Sequence, residues 1–103
     1  MNYVDDLREI IHTLHGATAT HVESVPVTET YNGQTIWDGI VEVFDLHGHP
    51  GTHRVYAWSH ETDDPDNPKR HVTVLHIPPV ISPLTAVRAF IIQEFRNAQQ
   101  AEA

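Results

Sequence analysis

Residues 20–46, THVESVPVTETYNGQTIWDGIVEVFDL, decide the fold of this chain. Asn32-Gly33 separates two runs that are rich in β-branched and aromatic residues. Such residues favour strands, and Asn-Gly between two strand-like runs is the strongest short-range signal for a two-residue hairpin turn. The stretch therefore predicts an antiparallel β-hairpin with its turn at Asn32-Gly33.

A two-residue turn also predicts which residues face each other across the hairpin. The expected pairs are Val25 with Ile40, Val22 with Val43, and Glu23 with Glu42. The last is a like-charge pair, which costs stability unless the carboxylates are solvated, protonated or bridged. A second turn through Pro50-Gly51 predicts a third strand, with Val43 opposite Trp58 and Asp45 opposite Tyr56.

Two more extended runs follow the hairpin, HRVYAWSHE at 53–61 and HVTVLHIP at 71–78. The segment between them, TDDPDNPK at 62–69, is polar and is interrupted by two prolines, which predicts an exposed loop. The chain is therefore expected to form four strands in sequence order, as an antiparallel meander.

Apolar residues at helical spacing predict one helix before the sheet and one after it. Asn2 can cap the first helix and Gly16 can end it, while Ser82-Pro83 is a typical opening of the second. The tail at 97–103, NAQQAEA, is polar and is expected to fray. Together these elements predict a single α+β domain over 1–103, α-β-β-β-β-α, with two helices on one face of a four-stranded antiparallel meander sheet.

Alternation along the strands sorts their side chains into two faces. The helices are expected to cover the face with few charges, made of Val22, Trp37, Val41, Val43, Tyr56, Trp58 and His60. The other face is expected to remain open and apolar, and it carries Val25, Val27, Ile36, Ile40, Phe44, Leu46 and Val55, interleaved with acidic residues. A contiguous apolar patch on a small domain usually marks a contact surface, and two-fold homodimers are the commonest oligomers. The sequence therefore predicts a protein-association surface, with a second copy of the chain as the first candidate partner.

Charge and composition exclude several classes of function. The formal net charge is −8 with neutral histidines, which repels phosphate backbones and argues against a nucleic-acid partner. No apolar run reaches the roughly 18 residues of a membrane span, and the N-terminus has no secretory signal pattern. The chain has no cysteine, so a cytoplasmic location is expected. Protonation of all 9 histidines would move the charge from −8 to +1, since −8 + 9 = +1, so charge-driven association should depend on pH. The first interpretation of the histidine content is nevertheless a chance composition of the surface.

The segment DLHGHPGTHR at 45–54 is the strongest candidate for chemistry. Asp45, His47, His49 and His53 are suitable ligand types for zinc, and a turn at Pro50-Gly51 would fold His53 back towards the other two histidines. The spacing matches no motif with a mechanism behind it, and glycine and proline are what a strand-to-strand turn requires in any case. A structural turn is the first interpretation and a metal site the second.

Other candidates carry weaker signals. His12 and His15 are helical i,i+3 neighbours near a helix end, where histidines usually compensate the helix dipole. Ser59-His60-Glu61 cannot act as a triad because adjacent strand residues point to opposite faces. The acidic DDPDNP loop lacks the glycine and the spaced carboxylates of a calcium loop. Glu23–Glu42 and Asp45–Tyr56 are interpreted as exposed sheet residues rather than acid–base pairs.

These observations favour a small, non-enzymatic association or regulatory module that self-associates through its sheet. The alternative is a metal-binding protein or a small zinc-type enzyme centred on His47, His49 and His53. A third reading, an acidic decoy of nucleic acid, rests on the net charge alone. Without a metal site, no cofactor is expected.

Overall fold

A computed structural model describes residues 3–102 and confirms an α+β fold with an antiparallel meander. The sheet order is β1-β2-β3-β4, so β1 and β4 form its two edges. The elements are α1 Tyr3–His15, β1 Thr18–Tyr31, β2 Gln34–His47, β3 Arg54–Glu61, β4 Lys69–Leu75 and α2 Pro83–Glu102. Within the described residues, no helix is long and apolar enough to span a membrane.

The β1–β2 turn forms where Asn-Gly predicted it. Asn32 and Gly33 both have positive φ, 52° and 77°, as a type I′ turn requires. Tyr31 pairs with Gln34, so the predicted register holds at the turn.

The middle of this hairpin departs from the predicted register by one residue. Irregularities lie between Glu29 and Thr30 and between His21 and Glu23. The first shifts the pairs that lie between them by one residue, and the second restores the predicted register from His21 onwards. Ser24 faces Glu42 and Glu23 faces Val43. The predicted Glu23–Glu42 like-charge pair is therefore wrong, as are the predicted pairs of Val25 with Ile40 and Val22 with Val43.

The β2–β3 register differs from the prediction by two residues. Val43 pairs with Tyr56 and Asp45 pairs with Arg54, because the connection is centred on His49-Pro50 rather than on Pro50-Gly51. A shift of two residues keeps each side chain on its predicted face. The ladder is short, running only from Glu42 to Asp45 on β2, so the outer part of the β1–β2 hairpin extends beyond β3.

The expectation that both helices cover one face is wrong, because they pack on opposite faces. The cluster under α2 contains Val43, Tyr56 and Trp58, whereas the cluster under α1 contains the alternate residues Phe44 and Val55. Consecutive residues of the central strands are consequently buried on both sides. Continuous apolar runs such as VYAW are the sequence signature of a strand covered on both faces.

Helix α1 begins at Tyr3, with the expected Asp5 and Asp6 in its first turn, and it ends at His15, just before the expected Gly16. Leu7 and Ile11 are fully buried, and Gly16 has φ 66°. The Gly16 amide donates to the His12 carbonyl at 2.9 Å, which closes the helix. The predicted cap Asn2 lies outside the described residues.

Helix α2 begins at the predicted cap and continues further than expected. The Thr85 amide donates to Ser82 Oγ at 3.2 Å, and the Ser82 amide donates to Thr85 Oγ1 at 2.9 Å, a reciprocal arrangement that satisfies amides at the helix start. The helix runs to Glu102, so the described part of the polar tail is helical rather than frayed.

Candidate functional site

The histidine-rich segment forms a turn that His49 itself stabilises. Its Nδ1 atom accepts hydrogen bonds from the amides of Gly51 at 3.0 Å and Thr52 at 3.2 Å. Leu46 N donates to the carbonyl of His53 at 2.8 Å and closes the connection. The turn interpretation therefore has a direct structural basis.

The predicted metal ligands are not brought together. Asp45 pairs with Arg54 at 3.3 Å, His49 uses Nδ1 for backbone amides, and His47 and His53 are exposed. Among the side chains that the structure describes, no group of three or more His, Asp or Glu residues is placed to hold a metal ion. The arrangement gives no support to zinc chemistry at this segment.

His12 and His15 also do not share a ligand site. His12 Nδ1 lies 3.3 Å from the Ala17 carbonyl oxygen, while His15 Nε2 lies 2.9 Å from Thr73 Oγ1 on β4. The His15 and His49 rings are 6.3 Å apart, centre to centre. Burial lowers the pKa of His15, and the positive charge that His49 can carry lowers it further.

The predicted interface residues separate into three groups. Phe44, Leu46 and Val55 lie under α1 and are at most 2% exposed, and Val27 is buried under α2 with Val25 packed against the same cluster. Only Ile36 and Ile40 are exposed, by 47% and 46%. The chain itself covers most of the predicted set, so the prediction of one continuous open sheet face is wrong.

One part of the sheet nevertheless remains uncovered. Val25, Val27 and Val41 pack towards α2, so the residues that alternate with them point away from it. We call these the open face of the β1–β2 hairpin, and they are all exposed: Ser24, Pro26, Thr28, Asp38 and Ile40. Proline is tolerated there because β1 is an edge strand.

A polar cluster that sequence reasoning missed borders the open face. The buried carboxylate of Glu42, 4% exposed, accepts a hydrogen bond from the Ser24 hydroxyl and lies 2.9 Å from His21 Nε2. Burial raises the pKa of Tyr3, and the charge of Glu42 acts in the same direction. The isolated glutamate in the apolar run IVEVF was the available signal, since a buried carboxylate needs partners.

This cluster does not have the geometry of a nucleophilic triad. Ser24 Oγ and His21 Nε2 both contact the same oxygen of Glu42, and Ser24 Oγ lies 3.5 Å from His21 Nε2. A triad instead requires the carboxylate on the ring nitrogen that is remote from the serine. The cluster therefore supplies hydrogen-bond partners for the buried carboxylate of Glu42.

Strand β3 carries the other serine–histidine contact. Ser59 Oγ lies 2.5 Å from Nδ1 of His71, its cross-strand partner on β4, while His60 faces Phe90 of α2. The Ser59-His60-Glu61 triad is thereby excluded, as expected.

Loop residue Asp64 accepts the Asp66 amide at 2.9 Å, which lowers the pKa of the Asp64 carboxyl. These contacts fit turn and cross-strand roles.

A groove of about 860 Å³ lies between α1 and β4. Ile10 and Leu14 line one wall, and Lys69 and His71 line the other.

Comparisons with family models, curated proteins and solved structures find no match to this chain.

Proposed function

We propose that this protein is a non-enzymatic association module that pairs with a second copy of itself through the open face of the β1–β2 hairpin. The observation that carries the proposal is a set of three exposed aliphatic side chains on this hairpin, of which Ile40 lies on the open face. Ile40 is 46% exposed, and the two bulge-region residues Val22 and Ile36 are 44% and 47% exposed. Exposed apolar surface on a two-stranded extension loses contact with water when it is covered by a partner.

The charge distribution favours a second copy as the partner. The chain carries a net charge of −8, yet Asp38 is the only formally charged residue among the five that define the open face. Its carboxylate already accepts the Thr28 hydroxyl at 3.0 Å. Two copies can therefore meet here with less repulsion than the net charge alone would impose.

The order of residues across the hairpin is also compatible with two-fold symmetry. Thr28 pairs with Asp38 and Pro26 pairs with Ile40, which places the hydroxyl and proline on β1 and the carboxylate and aliphatic group on β2. A two-fold axis parallel to the strands sets β1 of each copy across from β2 of the other. The carboxylate then meets a hydroxyl donor and the proline meets the isoleucine, as an isologous interface requires.

Native mass spectrometry of wild type, Ile40→Glu and a control, Ile92→Glu, tests the proposal. Ile92 lies on α2 and is 51% exposed, so it matches Ile40 in residue type and exposure. We expect a dimeric wild type, a monomeric and fully folded Ile40→Glu, and a dimeric Ile92→Glu. A monomeric wild type at tens of micromolar would refute self-association.

A regulatory role and a cytoplasmic location remain predictions from the sequence. No contact among the described residues favours metal-dependent chemistry as a second function.

A further inference from the structure

The β2–β3 turn depends on a neutral histidine. His49 Nδ1 accepts two backbone amides, from Gly51 and Thr52. An imidazole nitrogen accepts hydrogen bonds only while it carries no proton. His49 here takes the place that Asn or Asp fills in an Asx turn, where a side-chain oxygen accepts amides a few residues further along the chain.

This turn contacts the chain just after β4 on one side and lies near the end of α1 on the other. Thr52, only 8% exposed, donates from Oγ1 to the His76 carbonyl at 2.7 Å, just after β4. On the other side, the His49 ring lies 6.3 Å from that of His15, which contacts Thr73 of β4 at 2.9 Å. The end of α1, the turn and β4 therefore meet at one histidine junction: His15, His49, Thr52 and Thr73.

Histidines stand at the ends of the elements that meet at the junction, whereas the acidic residues of α1, Asp5, Asp6 and Glu9, lie in its first two turns. Helix α1 contributes His12 and His15, the connection contributes His47, His49 and His53, and His76 follows β4 and contacts the Tyr56 hydroxyl at 2.7 Å. At the base of the turn, the carboxylate of Asp45 is paired with Arg54. Histidines therefore stand on or next to every element that meets here.

We propose that this histidine junction is an acid-sensitive clasp, which holds the β2–β3 turn against α1 and β4 at neutral pH and releases the turn when His49 is protonated. Protonation removes the acceptor of two amides and places a positive charge on a ring whose centre lies 6.3 Å from that of His15. The turn loses the two hydrogen bonds from the amides of Gly51 and Thr52 to His49. His15, at the end of α1, then lies near a charged ring rather than a neutral one.

The direction of the pH effect follows from the two amides that only an unprotonated Nδ1 of His49 can accept and from the lowered pKa of His15. The lowered pKa of His15 means that the unfolded chain takes up protons before the folded chain does. The stabilisation is therefore fully present above the ordinary histidine pKa of about 6.5 and is lost as the pH falls below it.

Two non-titrating variants and one control test the clasp. His49→Asn keeps an acceptor for the turn amides, and His15→Gln keeps a partner for Thr73, but neither can be protonated in this range. His53→Asn removes an exposed histidine of the same connection. Amide-exchange protection factors at Gly51 and Thr52, together with melting temperatures, are measured at pH 7.5 and pH 5.0.

We expect wild type and His53→Asn to lose about tenfold protection at both amides and roughly 4–8 °C in melting temperature on acidification. In His49→Asn, the exchange protection of these amides should stay the same at both pH values. The melting temperature of His15→Gln should fall by less on acidification than that of wild type. If His49→Asn responds to acid as wild type does, the proposal is overturned. Wild-type imidazole ¹⁵N shifts give a test that needs no variant, because amide protection must fall over the same pH range in which His49 itself titrates.

Discussion

The two helices cover the two faces of the sheet unequally. Helix α2 has 20 residues and is about 30 Å long, whereas α1 has 13 and is about 20 Å long. Ion pairs tie α2 to both sheet edges, through Arg88 to Glu29 on β1 and through Glu94 to Arg70 on β4. The shorter α1 leaves the outer part of the β1–β2 hairpin uncovered. Helix length thus determines where the molecule has a free surface.

The two faces also differ in the side chains that fill them. Under α2, the Trp58 ring contacts those of Trp37 and Phe90, each at 5.4 Å between ring centres and in edge-to-face geometry. Under α1, Phe44 packs with small and aliphatic residues. Large aromatic residues bury more apolar surface per residue, so the α2 face should contribute more to the free energy of unfolding.

The sharpest contrast lies within one strand. Phe44 and Ile40 point to the same side of β2, yet Phe44 is fully buried under α1 whereas Ile40 is 46% exposed. Phe44→Glu buries an unpaired carboxylate and should lower the free energy of unfolding by about 4 kcal/mol or more. Urea denaturation followed by circular dichroism measures this loss, with Ile40→Glu as the folded control. A stable Phe44→Glu would mean that α1 does not cover this position.

Truncation of one side chain on each face compares the two clusters directly. Trp58→Ala should cost about 3–5 kcal/mol, near the upper end of core truncations, because the tryptophan joins the sheet to α2. Leu7→Ala, its counterpart on the α1 face, should cost less, about 2–4 kcal/mol. Urea midpoints of the two variants decide the order. Equal losses would contradict the greater contribution of the α2 face.

The buried carboxylate should show the smallest of the three effects. Glu42→Ala leaves His21 and Ser24 without their shared acceptor, but both partners can reach water, so the loss should be about 1–2 kcal/mol. Asp38→Ala removes an exposed carboxylate that also accepts a hydroxyl, and it should change the unfolding free energy by less than about 0.5 kcal/mol. Thermal melts at pH 7 provide the comparison, with both changes made in the Ile40→Glu background so that contacts of Asp38 with a second copy do not contribute. If Asp38→Ala is the more damaging change, burial does not set the importance of these carboxylates.

Local signals predicted the first hairpin turn and the start of α2 well, whereas the site residues were predicted less well. Asn32-Gly33 and Ser82-Pro83 act through neighbouring residues, so a few letters suffice to identify them. The predicted interface was wrong at Phe44 and Val55, because alternation alone does not say what covers a face. Pro50 and Gly51 indicated that His49 lies in a turn. Only the structure shows that its Nδ1 atom accepts the amides of Gly51 and Thr52.

The sequence by itself determined the order of elements, the hairpin turn and the start of each described strand region to within a few residues. These depend on backbone preferences and on contacts between near neighbours in the chain. Only the tertiary structure decided the bulges near Val22 and Ile36, the face that each helix takes, and the exposure of Ile40. Those features depend on packing between distant segments, where one inserted residue reverses a face and a few missing helical turns leave a surface open.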